Sequence, residues 1–346
     1  MVKKTIRKNS FTHAILPVIL TAFMAINLTG CPSKDTQKVE QTQLSEAFEK
    51  SAEAKKNAEE EKPAESKVTK LTPAKSLDEV PNRCPSDILQ ISREYKSGQI
   101  RHDSYFSTTC NRNRGFNIFL PASYDNEREY PVFYMLHGIF GNEYSLTGDQ
   151  GLRIRELLSN MGGSGLSEEM IVVFPNMYAS SDPNLKPGFD EASVVPYDNF
   201  INDLTTDLMP FIESKYRVKT GRDNTAIGGF SMGGRESLYI SIKRSDLFNY
   251  VGAIAPAPGV VPAKDWAMEH KGQMTEEEFK YSAPLPKLVM ICCGTNDGTV
   301  GHFPKDYHNL FEKNGVEHYW YEITGANHDN TAIQSGLYHF LQFVFR

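Results

Sequence analysis

From about Pro81 onward, short β-branched and aromatic runs alternate with longer segments of helical period. The runs predict strands at Phe116–Leu120, Val132–Leu136, Ile171–Phe174, Thr225–Gly229, Val251–Ala255, Leu288–Cys293 and Tyr319–Ile323. The longer periods predict helices at Phe200–Tyr216, Gly233–Arg244, Tyr307–Asn314 and Thr331–Phe345. The middle strands are apolar throughout, as strands covered on both faces must be. Strand and helix in alternation imply a mostly parallel sheet with crossover helices. No repeat of fixed period is visible, so residues 81–346 read as one α/β domain.

The chain ahead of that domain has a different pattern. Residues 31–80 are rich in Lys, Glu, Ala, Ser and Gln and nearly free of aromatics. Such a stretch cannot bury enough apolar surface to offset its ordering entropy, so it reads as a flexible linker. Leu44–Glu61 contains good helix formers, but no apolar heptad runs through it to make a coiled coil. Residues 1–30 open with Lys3, Lys4, Arg7 and Lys8, continue with an apolar run from Phe11 to Leu28, and end at Thr29-Gly30 before Cys31. A basic start, a short apolar run and small residues before a cut site read as a secretory signal. An uncleaved membrane helix is the alternative, but His13 and Pro17 interrupt a run already marginal for about 30 Å of hydrocarbon.

Hydrophobic residues make up 40% of the 346, charged residues 23%, and the net charge is −6. Without a dense basic block beyond the start, nucleic acid is excluded as a partner, since its binders need a basic footprint. Of the five cysteines, Cys292 and Cys293 lie in a run that reads as a buried strand. Export would permit a disulfide between Cys84 and Cys110, which the spacing leaves undecided. No C-x₂-C or H-E-x-x-H pattern occurs, so neither a metal nor an organic cofactor is implied.

The candidate chemistry centres on Gly229-Phe230-Ser231-Met232-Gly233, which matches G-x-S-x-G between a predicted strand and a predicted helix. A strand-to-helix turn that sharp pushes the central serine out of the sheet, and small flanking residues let the chains pass. A serine hydroxyl needs a positioned base, and in α/β-hydrolases the acid and then the histidine follow it in the chain, each on a loop after a strand. Asp297, in the loop after Leu288–Cys293, and His328, in the loop after Tyr319–Ile323, hold those positions. His302 is the runner-up base, and Asp329 and Asp306 are weaker acids. His308 and His339 fall within helical patterns and His318 opens a strand, as packing or surface residues do.

Acyl transfer also requires N–H donors for the developing oxyanion. Met232, the residue after the serine, supplies one. Ile139, in His137-Gly138-Ile139-Phe140-Gly141, supplies the other, with Gly138 the near alternative and His137 orienting the loop. The insert Pro256–Lys287 is short, which predicts a small cap and an open site bordered by Trp266 and Phe279.

These strings resemble carbohydrate esterase family 1, the feruloyl and acetyl xylan esterases of esterase D-like type. The match rests on Tyr130-Pro131-Val132 running into LHGIFG, on YDNFINDLTTDLMPFIESKY, GGFSMGG and CGTNDG, and on Leu247–Gly252. The resemblance implies an α/β-hydrolase fold, the triad Ser231, Asp297 and His328, and acylated polysaccharide as substrate. Where the feruloyl esterases of that family carry an aromatic-bearing string after the catalytic histidine, this chain has Asn330-Thr331-Ala332-Ile333. Acetyl and other short acyl esters therefore stay open beside feruloyl. An acyltransferase, thioesterase or peptidase on the same fold, or a silent glycan-binding lipoprotein, are the alternatives. LTGC at residues 28–31 resembles the bacterial lipoprotein box, which implies a lipid on Cys31 and a place on a bacterial membrane outside the cytoplasm.

Overall fold

The computed structural model describes residues 70–346 apart from Asn126. The expected signal at 1–30, the lipidation site Cys31 and most of the linker lie outside the described residues. Among those residues no helix is long and apolar enough to cross a membrane.

Ten strands are described: β1 (Gln99–Ser107), β2 (Arg112–Leu120), β3 (Val132–Leu136), β4 (Ile171–Pro175), β5 (Thr225–Phe230), β6 (Tyr250–Ile254), β7 (Ala263–Lys264), β8 (Glu269–His270), β9 (Leu288–Gly294) and β10 (Tyr319–Ile323). Eight form one sheet in the order β1-β2-β4-β3-β5-β6-β9-β10, and β7 with β8 makes a separate hairpin. From β4 to β10 every pairing is parallel, while β1–β2 and β2–β4 are antiparallel. The sheet is thus mostly parallel, with an antiparallel edge.

The two faces of the sheet bury separate clusters. Alternation along β2 sends Phe116, Ile118 and Leu120 into one and Phe119 into the other. Helices Met232–Lys243 and Phe303–Lys313 cover the first face through Leu238, Ile240, Tyr307 and Phe311. Helices Ile154–Ser164 and Asn330–Phe343 cover the second through Leu157, Met161, Leu337 and Leu341. This is the α/β-hydrolase arrangement, and it puts the loops after β3, β5, β6, β9 and β10 at the carboxyl ends of parallel strands, where open α/β sheets bind their ligands.

Some expected boundaries move. The segment Phe200–Tyr216 forms a short helix Phe200–Asp203, a π turn Leu204–Leu208 and a helix Met209–Lys215. The chain joins the body before Pro81: Leu71 N–H donates to Ser164 O at 2.7 Å, Ala74 N–H reaches Gln342 Oε1 at 3.2 Å, and Val80 is buried. Cys84 and Cys110 are both free thiols, packed in clusters on opposite faces of the sheet, so the pairing that the spacing left undecided is not made. Cys292 and Cys293 are buried core residues.

Candidate active site

Strand β5 runs down the middle of the sheet and ends at Phe230, one residue before Ser231. Ser231 takes φ 59° and ψ −119°, a conformation that an L-residue adopts only under constraint. It is the N-cap of helix Met232–Lys243. The turn needs glycine on either side: a Cβ on Gly229 would stand 2.5 Å from the Gly233 carbonyl carbon, and one on Gly233 would run into the Leu136 backbone. This is the elbow the G-x-S-x-G string predicts.

Asp297 sits in the tight loop after β9 and His328 in the loop after β10. Because β9 and β10 are adjacent and parallel, their loops emerge side by side, and His328 Nδ1–H donates to Asp297 Oδ2 at 2.7 Å. The other carboxylate oxygen accepts from Thr299 N–H at 3.0 Å and Val300 N–H at 3.2 Å. Burial pushes the Asp297 carboxyl up, but the His328 bond and these amides outweigh it, so the group sits below the ordinary carboxylate range. The Cys293 thiol lies 3.8 Å from the same Oδ2. The His328 ring packs against Phe230 with centroids 4.3 Å apart, which brings it beside the elbow.

The loop after β3 closes the site from the other side. A Cβ on Gly138 would lie 3.5 Å from the Ser231 Cβ. His137, fully buried, accepts from Met177 N–H through Nε2 at 3.1 Å and bonds Gly138 O through Nδ1 at 2.7 Å. Because an amide can only donate, the Met177 bond fixes the proton on Nδ1. Burial moves the His137 pKa down to about 4, so the ring is neutral and orients the loop, as expected of it. Phe140 has φ 62° and donates its N–H to the Tyr197 hydroxyl at 3.1 Å. On the serine side, Met232 is the first residue of its helix, and first-turn N–H groups have no intrahelical acceptor.

The remaining candidates have other duties. Asp329 caps the last helix by accepting from Thr331 and Ala332 N–H. His302 is exposed and bonded to Asp306 at 2.5 Å. His308 bonds His318 at 2.8 Å, and His339 stacks on Tyr321 and bonds Pro81 O. Phe279 does not border the site; it is fully buried and stacked on Phe311. Trp266, in the turn of the β7–β8 hairpin, is 76% exposed. Among the described residues no cluster of His, Cys, Asp or Glu could hold a metal ion.

The model of the family described as putative esterase matches residues 107–337. A CE1 ferulic acid esterase from Anaeromyces mucronatus, solved with ferulic acid, is 40% identical, covers 80% of this chain and 98% of its own, and superposes with a TM-score of 0.73. The chain is a carbohydrate esterase family 1 member. The esterase is also 25% identical over 232 residues to the endo-1,4-beta-xylanase/feruloyl esterase of Xylanibacter ruminicola, and 26% identical over 192 residues to endo-1,4-beta-xylanase Y of Acetivibrio thermocellus. Those matches cover 64% and 53% of this esterase but only 28% and 15% of the two relatives, which are much longer proteins. It is a serine carboxylic ester hydrolase of α/β-hydrolase fold.

Proposed function

We propose that this esterase releases feruloyl groups from plant cell-wall polysaccharide such as xylan, through an acyl-enzyme on Ser231. The observation that carries the feruloyl reading is a group of three exposed rings beside the Gly138–Gly141 loop. Phe140, Phe189 and Trp266 are 54%, 47% and 76% exposed, come from three separate loops, and lie in sequence with centroids 5.1 and 5.2 Å apart. Clustered aromatic surface left in water marks a binding site, and here it offers a face to a flat aromatic acid. The relative from Anaeromyces mucronatus, a ferulic acid esterase solved with that acid, supports the same reading. The string after His328 has another use: Asn330 bonds Asp149 at 2.9 Å while Ala332 and Ile333 are buried.

In the proposed mechanism Ser231 Oγ attacks the ester carbonyl carbon as His328 Nε2 takes its proton. The carbonyl oxygen becomes an oxyanion held by Met232 and Ile139 N–H. Collapse of this intermediate breaks the bond to the sugar oxygen, which leaves with the proton from His328. Water then attacks the acyl-serine with His328 again as base, releasing the acid and restoring Ser231. Asp297 holds the imidazole in the tautomer that leaves Nε2 free.

The test compares kcat/KM on methyl ferulate and on acetylated xylan, with Ser231→Ala as control. Preference for ferulate and loss of all but a trace of turnover in Ser231→Ala are expected. Preference for acetylated xylan would replace the feruloyl reading with a deacetylase. We also propose that the chain is exported and anchored through a lipid on Cys31, supported by the basic start, apolar run and LTGC string. Incorporation of labelled palmitate that Cys31→Ser abolishes is the expected result, and equal labelling of both would reject it.

A further inference from the structure

The string from Tyr197 to Tyr216 carries much of the family resemblance yet has no part in the chemistry above. The structure gives its first two residues a task. We infer that Tyr197 is a positioning residue that holds the Ile139 amide in its oxyanion-binding orientation, an inference that rests on the assignment of Ile139 and Met232 as the two donors.

Ile139 lies between two anchored neighbours. On one side the Gly138 carbonyl accepts from His137, and on the other the Phe140 N–H donates to the Tyr197 hydroxyl at 3.1 Å. Phe140 needs that second anchor. Its φ of 62° lies in the left-handed region, where a residue with a side chain is disfavoured by about 1–2 kcal/mol. Its ring is more than half exposed, so little side-chain burial opposes relaxation. The Gly141 N–H to Gly138 O bond at 3.2 Å closes the turn from within but ties it to nothing outside.

Tyr197 is itself fixed. It is fully buried, and its ring meets Tyr178 edge-on with centroids 5.0 Å apart. The next residue, Asp198, bonds Arg235 Nη1 at 2.5 Å. Arg235 stands three residues after Met232 on the nucleophile helix and is locked from its other side by the Gly259 carbonyl at 2.9 Å. One dipeptide therefore reaches both halves of the oxyanion site: Tyr197 the loop that carries Ile139, and Asp198 the helix that carries Met232. The separation of the two donors is set through it.

The test is Tyr197→Phe in the full chain, which keeps the ring and removes the acceptor. A donor lost outright from an oxyanion hole costs about 100- to 1,000-fold, and a donor let loose should cost less, roughly 10- to 100-fold in kcat with KM within about twofold. The factor is read on 4-nitrophenyl acetate, whose acyl group does not need the Phe140 ring. Affinity for a trifluoromethyl ketone, which adds to serine as a tetrahedral oxyanion, should fall by that factor, while inhibition by acetate stays put. Tyr216→Phe, which deletes a hydroxyl bonded to Asp103 at 2.6 Å at the far end of the same string, should lower the melting temperature and leave kcat alone. Asp198→Asn, which loosens the other anchor, should lower kcat in the same way even if Tyr197→Phe proves too unstable to assay. The inference is overturned if kcat of Tyr197→Phe stays within twofold of wild type, or if ketone affinity is unchanged. It is equally overturned if Tyr216→Phe loses kcat as much, or if Asp198→Asn loses none. Failure of the feruloyl reading would appear separately, as wild type inactive on ferulate while turning over 4-nitrophenyl acetate.

Discussion

Asp297→Asn is the substitution whose outcome the hydrogen bonds determine most fully. Asp297 Oδ1 accepts from two backbone amides, at Thr299 and Val300, and Oδ2 accepts from His328 Nδ1, with the Cys293 thiol 3.8 Å away. An asparagine in the same place has one acceptor and one donor arm. Turning its NH₂ toward Thr299 and Val300 would oppose donors to donors, at a cost of about 1–3 kcal/mol for each buried amide left unsatisfied. The carbonyl arm therefore stays on the amides and the NH₂ faces His328 Nδ1. That forces Nδ1 to accept and moves the imidazole proton to Nε2, the atom required to take the proton from Ser231. The wrong tautomer in a serine triad lowers kcat by about 10⁴, equivalent to about 5 kcal/mol of transition-state stabilisation. Because both backbone bonds survive, stability should change little at pH 7. The assay is kcat and KM on 4-nitrophenyl acetate beside a urea denaturation curve. A variant keeping more than a tenth of wild-type kcat would refute the argument, as would one unfolding at much lower urea.

Two further outcomes follow from the same geometry. Ser231→Gly and Ser231→Ala should both be inactive, yet the glycine variant should be the more stable by about 1 kcal/mol, because glycine relieves the φ 59° strain that alanine keeps; equal urea midpoints would mean the elbow stores no strain. His137 has a folded pKa near 4, below its ordinary 6.5, so the folded protein binds fewer protons than the unfolded chain. Its contribution is present above pH 6.5 and is lost as pH falls toward 4, by up to roughly 3 kcal/mol. Wild type should therefore lose stability more steeply over that window than His137→Gln, and parallel curves would reject a neutral His137.

Much of this could be read in the sequence because local pattern and tertiary role coincide. Val132–Leu136 and Tyr319–Ile323 are strands to the residue, since buried central strands are unbroken apolar runs and the last one is bounded by a turn. The order of serine, acid and histidine at the ends of β5, β9 and β10 was legible for the same reason: parallel strands all present their carboxyl ends to one edge. Strand β1 was not legible. It is an edge strand whose Arg101, His102, Ser104 and Phe106 are exposed, with Tyr105 and Ser107 its buried members. The helix Glu191–Asp198 was hidden by Pro196 within it, and Ile154–Ser164 by the paired glycines Gly162 and Gly163. The partners of the site residues were out of reach for a different cause. Phe230 against His328, Thr299 and Val300 on Asp297, and Tyr197 on Phe140 join positions that no periodicity links.

One class of signal could have pointed to those partners: a polar or charged residue at a buried position of an otherwise apolar segment. Tyr197 and Asp203 are such residues, with Asp198 half-buried beside them. Asp203, fully buried, makes an ion pair with Arg114 at 3.0 Å and accepts from Tyr105 OH at 2.5 Å. Buried ion pairs are poor sources of stability, since desolvation consumes most of the attraction, and apolar residues of similar volume often do as well. What Arg114 does instead is geometric. Its guanidinium donates to the carbonyls of Asn176 and Tyr178, on either side of Met177, and the Met177 N–H holds His137 Nε2. His137 in turn holds Gly138, so the line of contacts runs from Asp203 to the oxyanion loop. Arg235 with Asp198 does the corresponding work for the nucleophile helix. Charges buried at that cost specify where two loops and a helix end, and an apolar replacement would keep the fold while releasing the site.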